Sequence, residues 1–169
     1  RIRKIPVVLD PVGVGCTQFR RAAIVQLLES GAVTVLRGNA SEIAAIAKNT
    51  STRSLDSSDS STAVFECGQA LSRRFRCVVC VSGKRDYVID GDRIAHFDGG
   101  HEMMTRVTGM GCCSTAVIAA HCAVATDMFS AVLCAVELVG HAGEEAARAS
   151  NGQLGRFFSE FVTAISKRT

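Results

Sequence analysis

Ile5-Pro6-Val7-Val8-Leu9-Asp10-Pro11-Val12-Gly13-Val14-Gly15 reads as a strand that ends in a carboxylate and gives way to a glycine-bearing loop. A short, unbroken apolar run bounded by turn residues is the pattern of a strand buried on both faces. Such strands belong to parallel sheets covered by helices. Asp10 then stands at the carboxyl end of its strand, where open α/β sheets take their ligands. A turn or helix-cap role is the plain alternative for this residue.

The chain that follows repeats the theme. Arg20 to Ser30 is amphipathic, with Ala23, Leu27 and Leu28 towards the core and Gly31 as its stop. Val33 to Leu36 is the next strand, and it ends in Arg37-Gly38-Asn39. Asn39 or Ser41 can cap a helix that runs to about Lys48, with Glu42 in its first turn. Asn49 to Thr62 is rich in Ser, Thr and Asp and reads as a flexible loop. Val64 to Arg74 is a helix with Cys67, Leu71 and Phe75 on one side, and Cys77 to Ser82 is a third strand. Tyr87 to Phe97 reads as a hairpin turning at Asp90-Gly91. Asp98 to Met104 is a loop, Phe129 to Ala149 a helix capped by Asp127, and Leu154 to Ser166 a last helix facing inward through Phe157, Phe158, Phe161 and Ile165. Strand–helix three times, a hairpin, then helices predicts a layered α/β fold, one domain over residues 1–169.

The chemistry concentrates at Arg106-Val107-Thr108-Gly109-Met110-Gly111-Cys112-Cys113. This turn feeds into an apolar helical run, Ser114 to Ala125, whose packed face is expected at Val117, Ala120, His121 and Val124. The first N–H groups of a helix lack internal partners and carry partial positive charge. Gly109 and Gly111 let backbone approach a ligand without a Cβ in the way. Residues Gly109, Met110, Gly111 and Cys112 therefore form a candidate anion hole for a phosphate or a phosphoryl group in transfer. A thiol in the first turn of a helix is placed to serve as base or nucleophile, which marks Cys112. A tight turn followed by a buried, inert Cys is the competing reading. Arg37 is placed to reach phosphate and Glu42 to share a magnesium ion with Asp10; an ion pair and a favourable charge at a helix N-terminus are their structural alternatives. The strand ends at Asp10, Arg37 and Ser82 and the turn at Gly109 to Cys112 are expected to share one edge.

Composition narrows the field. The 169 residues are 47% hydrophobic, with net charge +3 and no basic stripe interleaved with aromatics, so no nucleic-acid partner is expected. No apolar run reaches membrane-span length, and no membrane partner or signal peptide is expected; the cytoplasm is the expected compartment. Eight cysteines in a chain with ample apolar content point to reduced core thiols rather than a disulfide framework. Cys77-Val-Val-Cys80 has the spacing of half a zinc site, but residues three apart on a strand face opposite ways. The chain starts at Arg1 and enters a strand almost at once, which reads as a piece whose upstream part is absent.

Four stretches in order, Val8-Leu-Asp-Pro-Val-Gly-Val-Gly15, Arg37-Gly-Asn-Ala-Ser-Glu42, Val81-Ser-Gly-Lys-Arg-Asp-Tyr-Val88 and Arg106-Val-Thr-Gly-Met-Gly-Cys112, resemble the hydroxyethylthiazole kinase family of the ribokinase-like superfamily. The resemblance implies a ribokinase-like layered sheet, incomplete at its N-terminal side. It implies ATP-dependent phosphorylation of the alcohol of 4-methyl-5-(2-hydroxyethyl)thiazole, in thiamine biosynthesis or salvage. By similarity Cys112 is catalytic, Gly109 contacts the thiazole, Arg37 and Ser82 contact ATP, and Asp10 and Glu42 serve Mg2+. Cys112 stands where sister kinases usually carry Asp. The family is homotrimeric, with active sites between subunits. The sequence departs from the family pattern at Met110, between the two glycines, at Ser82, where Thr is frequent, and at Cys16, where Ala is usual. Two rival readings are another small-alcohol kinase of the superfamily and a catalytically silent nucleotide-binding fragment or relative.

Overall fold

The computed structural model describes residues 5–50 and 60–167. Its sheet has five strands in the order β1 (Val8–Leu9), β2 (Val35–Asn39), β3 (Val78–Ser82), β4 (Asp86–Asp90), β5 (Arg93–Phe97). The first three run parallel, with Leu9 beside Leu36 and Leu36 beside Val79. β4 and β5 continue the sheet antiparallel as a hairpin. Gly91 takes φ 60° between them, a conformation that glycine adopts without strain.

Strand alternation sorts the core into two layers. Leu36, Val79, Val81 and Ile89 face α1 (Gln18–Glu29), α2 (Ala40–Thr50) and α3 (Ser60–Phe75), packing on Leu28, Ile43, Ile46 and Leu71. Val35, Val78, Cys80 and Val88 face α5 (Met110–Val124) and α6 (Met128–Ser150), packing on Ile118, Cys122, Val132 and Val136. A third cluster joins α4 (Met103–Arg106), α5 and α6 to α7 (Leu154–Ser166) through Met103, Met110, Val139, Phe157 and Phe161. Cys77 and Cys80 therefore sit on opposite faces of the sheet. Burial pushes each thiol up to about 12.

Several expectations are corrected. The run from Ile5 is a paired strand only over Val8–Leu9 and is half-buried, because β1 is an edge of the sheet among the described residues. On α1 only Leu28 is buried, Ala23 is half-buried, and Leu27 is exposed. β2 starts at Val35 rather than Val33, and it ends in Arg37, Gly38 and Asn39 as read from the sequence. The loop expected over Asn49 to Thr62 falls largely on residues 51–59, outside the described residues; its two ends are helical turns of α2 and α3. Met103 and Met104 open a short helix. α5 begins at Met110 and buries Met110, Ser114, Ile118 and Cys122, while Ala120 is exposed and Val124 is 88% exposed. That helix is small and apolar on every side, so periodicity alone could not select its packed face. On α7, Phe157, Phe161 and Ala164 are buried and Phe158 is exposed.

The N-terminal caps follow the sequence. Asn39 Oδ1 accepts the Glu42 N–H at 3.0 Å, and Asp127 accepts the Ser130 N–H at 3.3 Å. Asn151 closes α6 in the left-handed conformation, as a C-terminal cap residue does.

Candidate active site

The carboxyl ends of the parallel strands and the N-terminus of α5 meet at one corner. Asp10, just past β1, pairs with Arg37 of β2 at 3.4 Å, both side chains being largely buried. Thr115, one turn into α5, donates its hydroxyl to Asp10 Oδ2 at 2.8 Å. The guanidinium also reaches α5, since a Cβ built on Gly111 would lie 3.2 Å from Arg37 Nη1. Ser82, at the end of β3, donates to the Gly38 carbonyl at 3.3 Å. The four strand-end and turn positions expected to share one edge are thus brought together by contacts.

Glu42 holds two loops. Its Oε2 accepts the Asn39 N–H at 2.9 Å and its Oε1 accepts the Gly13 N–H at 3.2 Å. With Asn39 capping Glu42 in return, this is a capping box whose glutamate also grips the loop after β1. Gly38 is closely approached here: an added Cβ would lie 3.2 Å from Pro11 and 3.3 Å from Glu42 Oε2, so these neighbours would have to give by a few tenths of an ångström.

Gly109 is the N-terminal cap of α5 at φ 95°, where L side chains are strained. Cys113 N–H closes the first helical bond on the Gly109 carbonyl at 2.9 Å. The first N–H groups of a helix have no acceptor within the helix. Met110 packs into the core cluster with Met103 and Val139 and so does not block this turn. Cys112 is exposed in the first turn of α5.

Beside this corner lies a cavity of about 710 Å³. Of the residues singled out in the sequence, Arg37, Ser82, Met110 and Gly111 line it; Asp10, Glu42, Gly109 and Cys112 stand outside its wall. Its apolar floor comes from Cys80, Ile118, Ala135, Val136 and Val139. Its polar rim includes Lys84, Asp86, His101 and Glu102. A mostly apolar cavity with a few polar groups and a guanidinium at one end suits a flat heteroaromatic body joined to an anionic tail. Burial raises the Asp86 carboxyl above its ordinary value, while the Gly83 N–H and Arg37 pull it down. The Gly99-Gly100 wall is held by Glu144, whose Oε1 accepts the Gly100 N–H at 3.1 Å.

Sequence reasoning did not find Thr115, Asp86 or this wall. One signal was present: Gly140 and Gly143 lie inside a long helix, where glycine is costly and usually marks a close approach. A Cβ on Gly140 would strike the Phe97 ring, and one on Gly143 would strike Met104 Sδ.

Fold and site together define the class. A parallel sheet with an antiparallel extension, helices on both faces, and a glycine-led helix N-terminus at the strand ends is the ribokinase-like arrangement of small-molecule kinases. The same fold is found in an ADP complex of Bacillus subtilis pyridoxal kinase, with TM-score 0.61 and 20% identity over 80% of this chain and 52% of that one. Within the class, the chain belongs to the hydroxyethylthiazole kinase family, whose profile it matches over residues 2–169.

Individual relatives agree. The chain is 43% identical over 164 residues to a hydroxyethylthiazole kinase of Nitratidesulfovibrio vulgaris (strain DSM 19637 / Miyazaki F), covering 96% of this chain and 61% of that one. It is 48% identical over 149 residues to that of Leptothrix cholodnii, covering 87% and 54%. The structure of the hydroxyethylthiazole kinase protein from Pyrococcus horikoshii OT3 superposes with TM-score 0.84 at 31% identity, covering 96% and 59%. The chain thus spans 54% to 61% of the length of these two curated relatives.

Proposed function

We propose that residues 1–169 form the C-terminal part of a single kinase domain that transfers the terminal phosphoryl group of ATP to the alcohol of 4-methyl-5-(2-hydroxyethyl)thiazole. The step belongs to thiamine biosynthesis or salvage in the cytoplasm. The observation that carries this reading is the meeting of Asp10, Arg37 and Gly111 beside the cavity that Arg37 and Gly111 line, next to the exposed Cys112.

Phosphoryl transfer asks a protein for alignment and charge neutralisation more than for covalent chemistry. In this reading the cavity takes the nucleoside of ATP, and Arg37 and Ser82 hold its phosphates. The N–H groups of Gly109 to Cys112 receive charge on the transferring group, Gly109 contacts the thiazole, and Cys112 orients the substrate hydroxyl or accepts its proton.

The residues also suit a magnesium ion. Asp10 and Glu42 offer hard carboxylate oxygens at this corner, and both contacts of Asp10 fall on Oδ2. Among the described residues no group of three or more His, Cys, Asp or Glu could hold a metal. Mg2+ is usually held by one or two carboxylates together with substrate phosphates and water. When bound it would offset phosphate charge. No described helix is long and apolar enough to cross a membrane.

The same reading carries a homotrimer with sites shared between subunits. Exposed apolar residues on α5, including Ala120 and Val124, support a covered face on that side of the sheet. Light scattering tests the assembly.

The deciding experiment measures phosphate transfer from ATP to hydroxyethylthiazole with magnesium. It is run on this chain and on the chain joined to the N-terminal portion of a relative. Transfer by either form supports the reading. ATP binding without transfer by both forms would favour a silent nucleotide-binding relative. Preference for a pyrimidine or pyridoxal alcohol in competition would favour a sister kinase.

A further inference from the structure

We propose that Thr115 is the positioning residue that ties Asp10 to the anion-hole helix, so that the carboxylate is presented to the metal–nucleotide complex at a fixed place. The inference rests on the kinase reading above. Asp10 follows a strand of only two residues at the sheet edge, so β1 itself anchors it weakly. Its carboxylate is steadied from two sides: Arg37 on the neighbouring strand, at 3.4 Å, and the Thr115 hydroxyl on α5, at 2.8 Å. Arg37 is a long side chain that must also serve phosphate, so it is a poor sole clamp. Thr115 is short, β-branched and on a rigid helix, one turn beyond Gly111.

The hydroxyl has one hydrogen and two acceptors. Its alternative is the Gly111 carbonyl at 3.1 Å, the usual local partner of a helical threonine. The shorter contact goes to Asp10, 105 residues away in sequence. Donation to Oδ2 restrains the rotation of the carboxyl group and leaves Oδ1 directed elsewhere. Groups that orient a metal-ligating carboxylate typically change metal affinity about tenfold or more when removed.

The test uses Thr115→Val, which keeps the shape and loses the hydroxyl, Thr115→Ser, which keeps the hydroxyl, Asp10→Ala, and the Asp10→Ala/Thr115→Val pair. Magnesium-dependent ATP binding is followed by calorimetry, and stability by urea denaturation without ligand. The expected result is about a tenfold rise in the magnesium needed for half-maximal ATP binding in Thr115→Val. Binding of ATP without magnesium should change little, and Thr115→Ser should restore the wild-type response. In the Asp10→Ala background Thr115→Val should have no further effect on magnesium, and its stability cost should be smaller than in the wild type. Additive stability effects would overturn the proposal whatever the nucleotide data show. An unchanged magnesium response in Thr115→Val, with wild-type magnesium dependence intact, would overturn it while leaving the kinase reading standing. A wild-type protein that binds ATP indifferently to magnesium would remove both.

Discussion

Asp10, the residue after β1, and Arg37 of the neighbouring parallel strand β2 each follow the paired Leu9 and Leu36 and close a largely buried ion pair at 3.4 Å. The pair sets charge at the strand ends and points the guanidinium towards the first turn of α5. Removing either partner leaves the other poorly solvated. Arg37→Ala is expected to destabilise the fold by roughly 1–3 kcal/mol, the usual cost of removing a partner from a buried polar group, although the Thr115 hydroxyl still donates to Asp10. It should also weaken ATP binding. Urea denaturation and calorimetry check the two effects, and an unchanged midpoint would show that Thr115 and solvent satisfy Asp10 without Arg37.

Cys112 is exposed and contributes little packing, so Cys112→Ala should leave stability within about 0.5 kcal/mol. Turnover should fall by about a hundredfold or more, with ATP affinity nearly unchanged. Steady-state kinetics beside equilibrium binding separates these quantities. Normal turnover would end the catalytic assignment.

Glu42 has two jobs in this structure. Its capping box and its grip on Gly13 predict that Glu42→Ala lowers stability by about 1 kcal/mol or more. Asp10→Ala and Glu42→Ala should both weaken the response to magnesium. A magnesium titration equal to wild type in both variants would reject Asp10 and Glu42 as the metal-serving pair.

Gly140 is spaced for the Phe97 ring, which stacks edge-on against His141 at 5.2 Å. Gly140→Ala would gain helix propensity but force that ring aside, and overpacking of this kind costs about 1–3 kcal/mol. Because Gly140 lines the cavity, nucleotide affinity should fall with it. A variant with wild-type affinity would show that the ring moves freely.

Asp86 gives the pH prediction. Burial, opposed by the Gly83 N–H and Arg37, raises its carboxyl above the ordinary value. On raising pH the unfolded chain therefore gives up this proton first. Asp86 contributes stability in full below the unfolded value, and this is lost as pH rises through the folded one. Asp86→Asn keeps an acceptor for the Gly83 N–H, which Asp86 receives at 2.8 Å, and should flatten this part of the profile. Denaturation across the acid range checks it; an unaltered slope would place the effect on another group.

Much of the architecture could be read directly from the chain. Leu154–Ser166 is helical as its spacing predicts, and Cys67, Leu71 and Phe75 are all buried as expected. These elements carry a clear apolar face at helical spacing, which is what a sequence reading detects. The packed face of α5 was not legible, because a helix apolar all round gives periodicity nothing to select. The exposure of Leu27 and Phe158 was also hidden: pattern shows that a residue is apolar, not whether a neighbour covers it.

The sequence by itself determined the α/β order of elements, the glycine turn before α5, and the residue types gathered at the strand ends. These depend on local rules of period, capping and backbone freedom. Only the tertiary structure decided that Thr115 meets Asp10 across 105 positions, that Asp86 lines the cavity, and that Gly140 and Gly143 make room for Phe97 and Met104. Each of these depends on how separate elements are placed in space. Such contacts arise from long-range packing; the chain signals at most that something comes close, as the glycines inside α6 do, and not which residue it is.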